Sequence, residues 1–252
     1  MKSFVIALIG ALVCVSATVA GEREECAVAA HLVTADYPLP RVARAIAQKE
    51  LKVVVVGSAS SLLAGPGGKQ EAAYPARLES ALSQRLPGVK VIVTTFAKPR
   101  TTADSMEEEI EQLVHTEKPA VLIWQTGTVD AIRRIDPEDF RSAIDQGVAA
   151  VLDADSDIVL MNPQYSPRTE SMIEVQPYAD AMRFAAMQHE VPLFDRFAVM
   201  RQWGELGTFD LLDPTKKTDM AERVHQCVAE LLADLIVQSA KLPASDAHDK
   251  HQ

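Results

Sequence analysis

Apolar, β-branched runs alternate along this chain with segments of helical period. The runs cover residues 51–57, 89–95, 121–124 and 158–161, with a shorter one at 191–194. Between them, Asp136-Pro137-Glu138 predicts a helix start, with a capping aspartate, a first-turn proline and an acid at the positive end of the helix dipole. Phe140, Ile144, Val148 and Val151 then fall on one face of that helix. A last helix is predicted from Met220 to about Ser239, with Met220, Val224, Cys227, Leu231 and Leu235 on one side. Asp219 and Glu222 are spaced as a capping box for it. Strands this continuously apolar, separated by helices, indicate an α/β protein whose parallel sheet is covered on both faces. There is no internal repeat and no linker, so residues 21–240 are expected to form one domain, followed by a polar tail at 241–252.

In such a sheet, sites form beyond the carboxyl ends of the strands. Four loops qualify: residues 57–68, 95–102, 125–130 and 162–168. The first, after the valine run, carries the small hydroxyl cluster "GSASS", which is how a buried strand delivers a nucleophilic serine to a sheet edge. It lacks the glycine spacing of a dinucleotide loop, and "GPGGKQ" lacks the glycine and the Ser/Thr of a phosphate loop. His31, His115, His189 and His225 are scattered, so no metal site and no cofactor is expected.

Charge and the chain start narrow the setting. The formal net charge of −10 over 252 residues argues against nucleic acid and against an anionic membrane surface as partners. Residues 1–20 read as a signal peptide: Lys2, an apolar run and then "SATVA", with cleavage expected after Ala20. A periplasmic or secreted protein with no stable membrane anchor is the expectation. Removing the leader leaves Cys26 and Cys227. In an oxidising compartment these invite a disulfide between the chain start and the last helix, the alternative being two buried free thiols.

Several blocks together carry a resemblance: "YPARLE" at 74–79, "KPAVLIWQTGT" at 118–128, "NPQYSPR" at 162–168 and "VPLFDRFAVM" at 191–200. Over roughly residues 51–235 the chain resembles the SGNH (GDSL-type) hydrolase superfamily, and is especially similar to exported bacterial members. The resemblance implies a flavodoxin-like three-layer α/β/α sandwich. It also places Cys26 and Cys227 where related chains carry cysteines.

The chemistry of that superfamily needs a serine nucleophile, a histidine base held by an aspartate, and an oxyanion hole from a glycine N–H and an asparagine. Carried over position by position, these fall on Ala59, Asp219, Lys216, Arg100 and Val129. No member is intact, which implies a pseudoenzyme. The alternative is an esterase or O-acetyl-processing hydrolase with a relocated nucleophile, for which Ser58 or Ser60 and His225 are the candidates. Without catalysis the cleft would bind: Gly57, Lys98, Arg100, Gln125, Thr128, Gln164, Tyr165 and Arg168 are the expected lining, and a glycan, an acidic ligand or an envelope protein the expected partner. Trp124, at a strand end, is expected in the core. The acidic residues 107–109 and 111 are expected on a solvated helix face.

Overall fold

A computed structural model describes residues 25–63, 69–212 and 217–243. The expected leader, Lys216 and residues 244–252 of the tail lie outside these. In chain order the regular elements are α1 (Pro40–Ala47), β1 (Glu50–Gly57), α2 (Tyr74–Arg85), β2 (Lys90–Ala97), α3 (Ala103–Glu117), β3 (Val121–Gln125), α4 (Thr128–Arg133), α5 (Pro137–Asp153), β4 (Asp157–Met161), α6 (Pro167–Glu170), α7 (Gln176–Gln188), β5 (Leu193–Phe194), α8 (Arg196–Glu205) and α9 (Lys217–Ser239). Each predicted apolar run becomes a strand. The five strands form one sheet, in the order β2-β1-β3-β4-β5, with every pair parallel.

The valine run shows why both faces must be covered. Side chains alternate across a strand. Val53 and Val55 enter a core shared with α1, α2 and α9, whereas Val54 and Val56 enter a second core shared with α3, α5 and α7. Helix α5 starts as predicted: Asp136 accepts from the backbone N–H of Glu138 at 2.8 Å, and Phe140, Ile144, Val148 and Val151 are all buried. Trp124 is fully buried and donates its indole N–H to Met106 Sδ at 3.3 Å. Its ring lies against Gly147 of α5, where a Cβ would stand 2.4 Å from the ring. Gly147→Ala is therefore expected to destabilise the fold by about 1–3 kcal/mol through overpacking, although alanine is the better helix former by about 1 kcal/mol. Urea unfolding measures this, and a variant as stable as wild type would show that Trp124 moves aside freely.

The last helix differs from expectation in its start. It begins at Lys217, so Asp219 is not its cap but an exposed residue of the first turn. Its core-facing residues include Val224, Cys227, Val228, Ala229, Leu232, Ala233, Leu235 and Ile236; Met220 and Leu231 sit only at the edge of the buried stripe. Helix α9 packs on α2, and Cys227 forms a disulfide with Cys26 across a Cα–Cα distance of 5.0 Å. No helix among the described residues is long and apolar enough to cross a membrane.

Candidate functional site

Strand β1 ends at Gly57, and the chain turns at once through Ser58 into a short 3-10 turn, Ala59–Ser61. Gly57 is required by close approach: a Cβ there would lie 2.2 Å from Ser61 Oγ and 3.3 Å from Gln125 Oε1. Gln125, fully buried at the end of β3, is where the hydroxyl cluster converges. The hydroxyls of Ser58, Ser60 and Ser61 donate to its Oε1 at 3.3, 2.8 and 2.9 Å, and the Ser58 backbone N–H adds a fourth contact at 3.3 Å. Ser61 Oγ also bonds the Tyr74 hydroxyl at 3.0 Å. Burial raises that phenol to about 12, so it is neutral at physiological pH.

Tyr74 opens α2 and ties this turn to α9, because its backbone N–H donates to His225 Nδ1 at 2.9 Å. An accepting Nδ1 fixes the neutral tautomer with the proton on Nε2. Burial, reinforced by the charges of Arg196 and Arg77, lowers the imidazole to about 3. No hydrogen bond joins His225 to a serine hydroxyl among the described residues. His189 is occupied elsewhere, with Nε2 2.9 Å from Asp145 Oδ1.

The residue that organises the neighbouring space is Arg196, at the start of α8. Its side chain is buried, with 1% exposure, and no carboxylate pairs with it among the described residues. It donates to Ser60 Oγ and to Gln164 Oε1, each at 3.3 Å, and lies 5.8 Å over the Tyr74 ring, while its Nε has no partner. Burial lowers the guanidinium to about 10, which leaves it charged at neutral pH. Arg196, His225, Gln164, Tyr165 and Arg168 line a pocket of about 670 Å³, completed by apolar residues of α8, α9 and the segment before α9.

Residues 25–242 match the model of the non-GDSL lipase-like family. The chain belongs to that family. Solved structures similar to this non-GDSL lipase-like chain include an α/β hydrolase from the metagenome of Lake Arreo, Spain, at 20% identity and TM-score 0.59, covering 75% of this chain and 95% of that one. TesA is similar at 19% identity and TM-score 0.54, covering 71% and 99%. A catalytic mutant of an acetylxylan esterase from Geobacillus stearothermophilus is similar at 16% identity and TM-score 0.57, covering 77% and 95%. These likenesses establish the SGNH-hydrolase fold. No curated protein matches the sequence.

Within this non-GDSL lipase-like chain the expected site residues separate into two groups. Gln164, Tyr165 and Arg168 line the pocket, as does His225, and Gly57 and Gln125 form the hydroxyl-binding floor of the adjoining turn. Thr128 opens α4 with its hydroxyl buried and unpartnered, outside the pocket lining. Ala59 lies where expected, directly after β1. Lys98, Arg100, Val129 and Asp219 lie outside the lining of this pocket, and Lys216 lies outside the described residues. Lys98 is exposed and paired with Glu109 at 2.9 Å rather than directed into a cleft. Arg100 is exposed in a surface turn, and its carbonyl accepts from Arg133 at 2.8 Å. Arg100 has φ of +66°, a left-handed conformation that glycine adopts without strain, so the backbone there keeps a shape its side chain disfavours. Arg196, Tyr74 and the apolar wall were not anticipated. The only sequence signal for Arg196 was a charge set between Phe194 and Phe197 in the block "LFDRF".

Proposed function

We propose that this chain is an exported, non-hydrolytic binding protein built on an SGNH-hydrolase frame, with a pocket for an acidic ligand. The observation that carries this reading is the buried, charged Arg196 facing the pocket with no carboxylate paired to it among the described residues. Buried charges are ordinarily paired, because leaving one unpaired in a low dielectric is costly. An anion entering the pocket supplies the missing partner.

The chemistry of ester cleavage has no support from the same groups. A nucleophilic serine needs a base within hydrogen-bond reach. Here all three hydroxyls are turned toward Gln125, and His225 offers an N–H rather than a lone pair on its remaining ring nitrogen. A base whose conjugate acid lies at about 3 is also far from the value suited to proton transfer at neutral pH. The positive charge of Arg196 beside Ser60 would favour an alkoxide, but among the described residues the Ser60 hydroxyl is bonded to Gln125 and Arg196 and to no base.

Export rests on the leader-like start, and the Cys26–Cys227 bond fits an oxidising compartment. Outside the cytoplasm the acidic ligand classes at hand include an acidic glycan and the carboxylate of an envelope protein. The test is a short-chain p-nitrophenyl ester assay run beside a fluorophosphonate label on the purified chain. No turnover and no labelling are expected. Turnover abolished by Ser58→Ala or Ser60→Ala would overturn the proposal and establish a relocated nucleophile.

A further inference from the structure

The pocket has two chemically different halves. At one end are the donors: the Arg196 guanidinium, with its Nε unpartnered, and the His225 ring, whose Nδ1 is taken by the Tyr74 backbone and whose Nε2–H remains. A second, polar side is formed by Gln164, Ser166, Arg168 and Ser171, and the remaining wall is aliphatic: Met200 from α8, Leu211 and Leu212, and Met220 and Val224 from α9. Leu212, 66% exposed, stands at the rim of this wall.

A small inorganic anion would satisfy Arg196 but would leave this aliphatic wall wet. A sugar would find polar partners along residues 164–171 but would leave the same aliphatic wall wet, and the aromatic side chain of the lining is Tyr165. Trp124 and Trp203 are fully buried in the core, and the Tyr165 ring is held edge-on against Phe197 with centroids 5.4 Å apart. The volume, about 670 Å³, falls in the usual range of small-molecule sites.

We propose that the pocket holds a monocarboxylate bearing an aliphatic chain, with the carboxylate against Arg196 and the chain along Met200, Leu211 and Val224. This rests on the acidic-ligand reading above and names the ligand's chemistry. The two methionines suit an aliphatic chain, because their flexible thioethers repack around irregular apolar shapes. Arginine suits a carboxylate, because its planar fork presents parallel N–H donors.

Isothermal titration of the purified chain with hexanoate, octanoate and decanoate, run beside decanol, methyl decanoate, glucuronate and sulfate, tests it. Affinity is expected to rise about fourfold per added methylene across the carboxylates. Decanol and the methyl ester are expected to bind at least about tenfold more weakly than decanoate. Arg196→Met should lose decanoate binding. Because that position is buried, Met200→Glu provides an independent arm: it places a carboxylate one helical turn after Arg196, within the pocket lining, so it should occupy the guanidinium, keep the fold and abolish decanoate binding.

Equal binding of glucuronate or sulfate without chain-length dependence would overturn the aliphatic assignment and leave the acidic-ligand reading standing. Binding of decanol as tight as decanoate, or full decanoate affinity in Met200→Glu, would overturn the role of Arg196. No binding of any anion would overturn both readings.

Discussion

Lowering the pH from 7 to 4 is expected to cost the wild-type fold about 3 kcal/mol that a His225→Asn variant does not lose. His225 is buried, and burial together with Arg196 and Arg77 lowers its imidazole to about 3 from the ordinary 6.5. The sign follows from proton counts. Between pH 6.5 and about 3 the unfolded chain holds a proton on this residue and the folded chain does not, so acid favours unfolding by about 1.4 kcal/mol per pH unit across that window. Above 6.5 both states are neutral there and the contribution is flat. Asp157 works in the opposite direction. Burial raises its carboxyl to about 6, so the folded state takes up a proton first and is favoured as pH falls from about 6 to its ordinary value of 3.8. That contribution is common to wild type and variant, and it cancels in their difference. Asparagine keeps an acceptor near Nδ1 for the Tyr74 N–H, so the comparison removes the titration more than the contact. Urea unfolding of both proteins at pH 7, 5 and 4 measures it. Parallel pH profiles would show that His225 does not carry the acid sensitivity.

Replacing Cys26 and Cys227 together by alanine is expected to destabilise the protein by about 2–5 kcal/mol. The bond spans 201 positions, so it removes a large share of the unfolded chain's freedom. For a domain of this size each kcal/mol corresponds to about 2–4 °C, so thermal unfolding with and without reductant should separate by about 4–20 °C. Coincident transitions would mean that the native packing of Cys26 against α9 suffices without the covalent link.

The inner strands were legible because β3, β4 and most of β1 are buried on both faces and therefore read as uninterrupted apolar runs, and the edge strand β2, only partly buried, still reads as β-branched. The valines show it: alternate members serve different cores, so none of them can be polar. The start of α9 was not legible, because the spacing of Asp219 and Glu222 imitates a cap that the helix has already passed. In the pocket, Gln164, Tyr165 and Arg168 stand side by side because they belong to one segment beyond β4, the last of them in the short α6. Arg196 was hidden by its neighbour. In sequence Asp195 is an adjacent acid ready to neutralise it, but the start of α8 separates the two side chains. Asp195 accepts from the Ala198 N–H at 2.9 Å and pairs with Arg183 at 2.6 Å, and Arg196 is left without a counter-ion among the described residues. The converse holds at Lys98 and Arg100, whose charges in a candidate loop suggested a cleft. Lys98 instead reaches Glu109 in the acidic stretch of α3, so that face is partly an ion-pair surface and not only a solvated one.

The link between Cys26 and Cys227 also encloses the entire sheet, the helices α1 to α8 and the first part of α9 between its two ends, leaving the second half of α9 and the segment after it beyond. A protease that severs the backbone once, anywhere in that interval, produces two polypeptides that remain one molecule. The broken ends stay tethered beside a core that still holds its partners in register, so a clipped copy can retain its shape, and damage by a single cut would register on a denaturing gel only after the sulfur–sulfur bond had been opened.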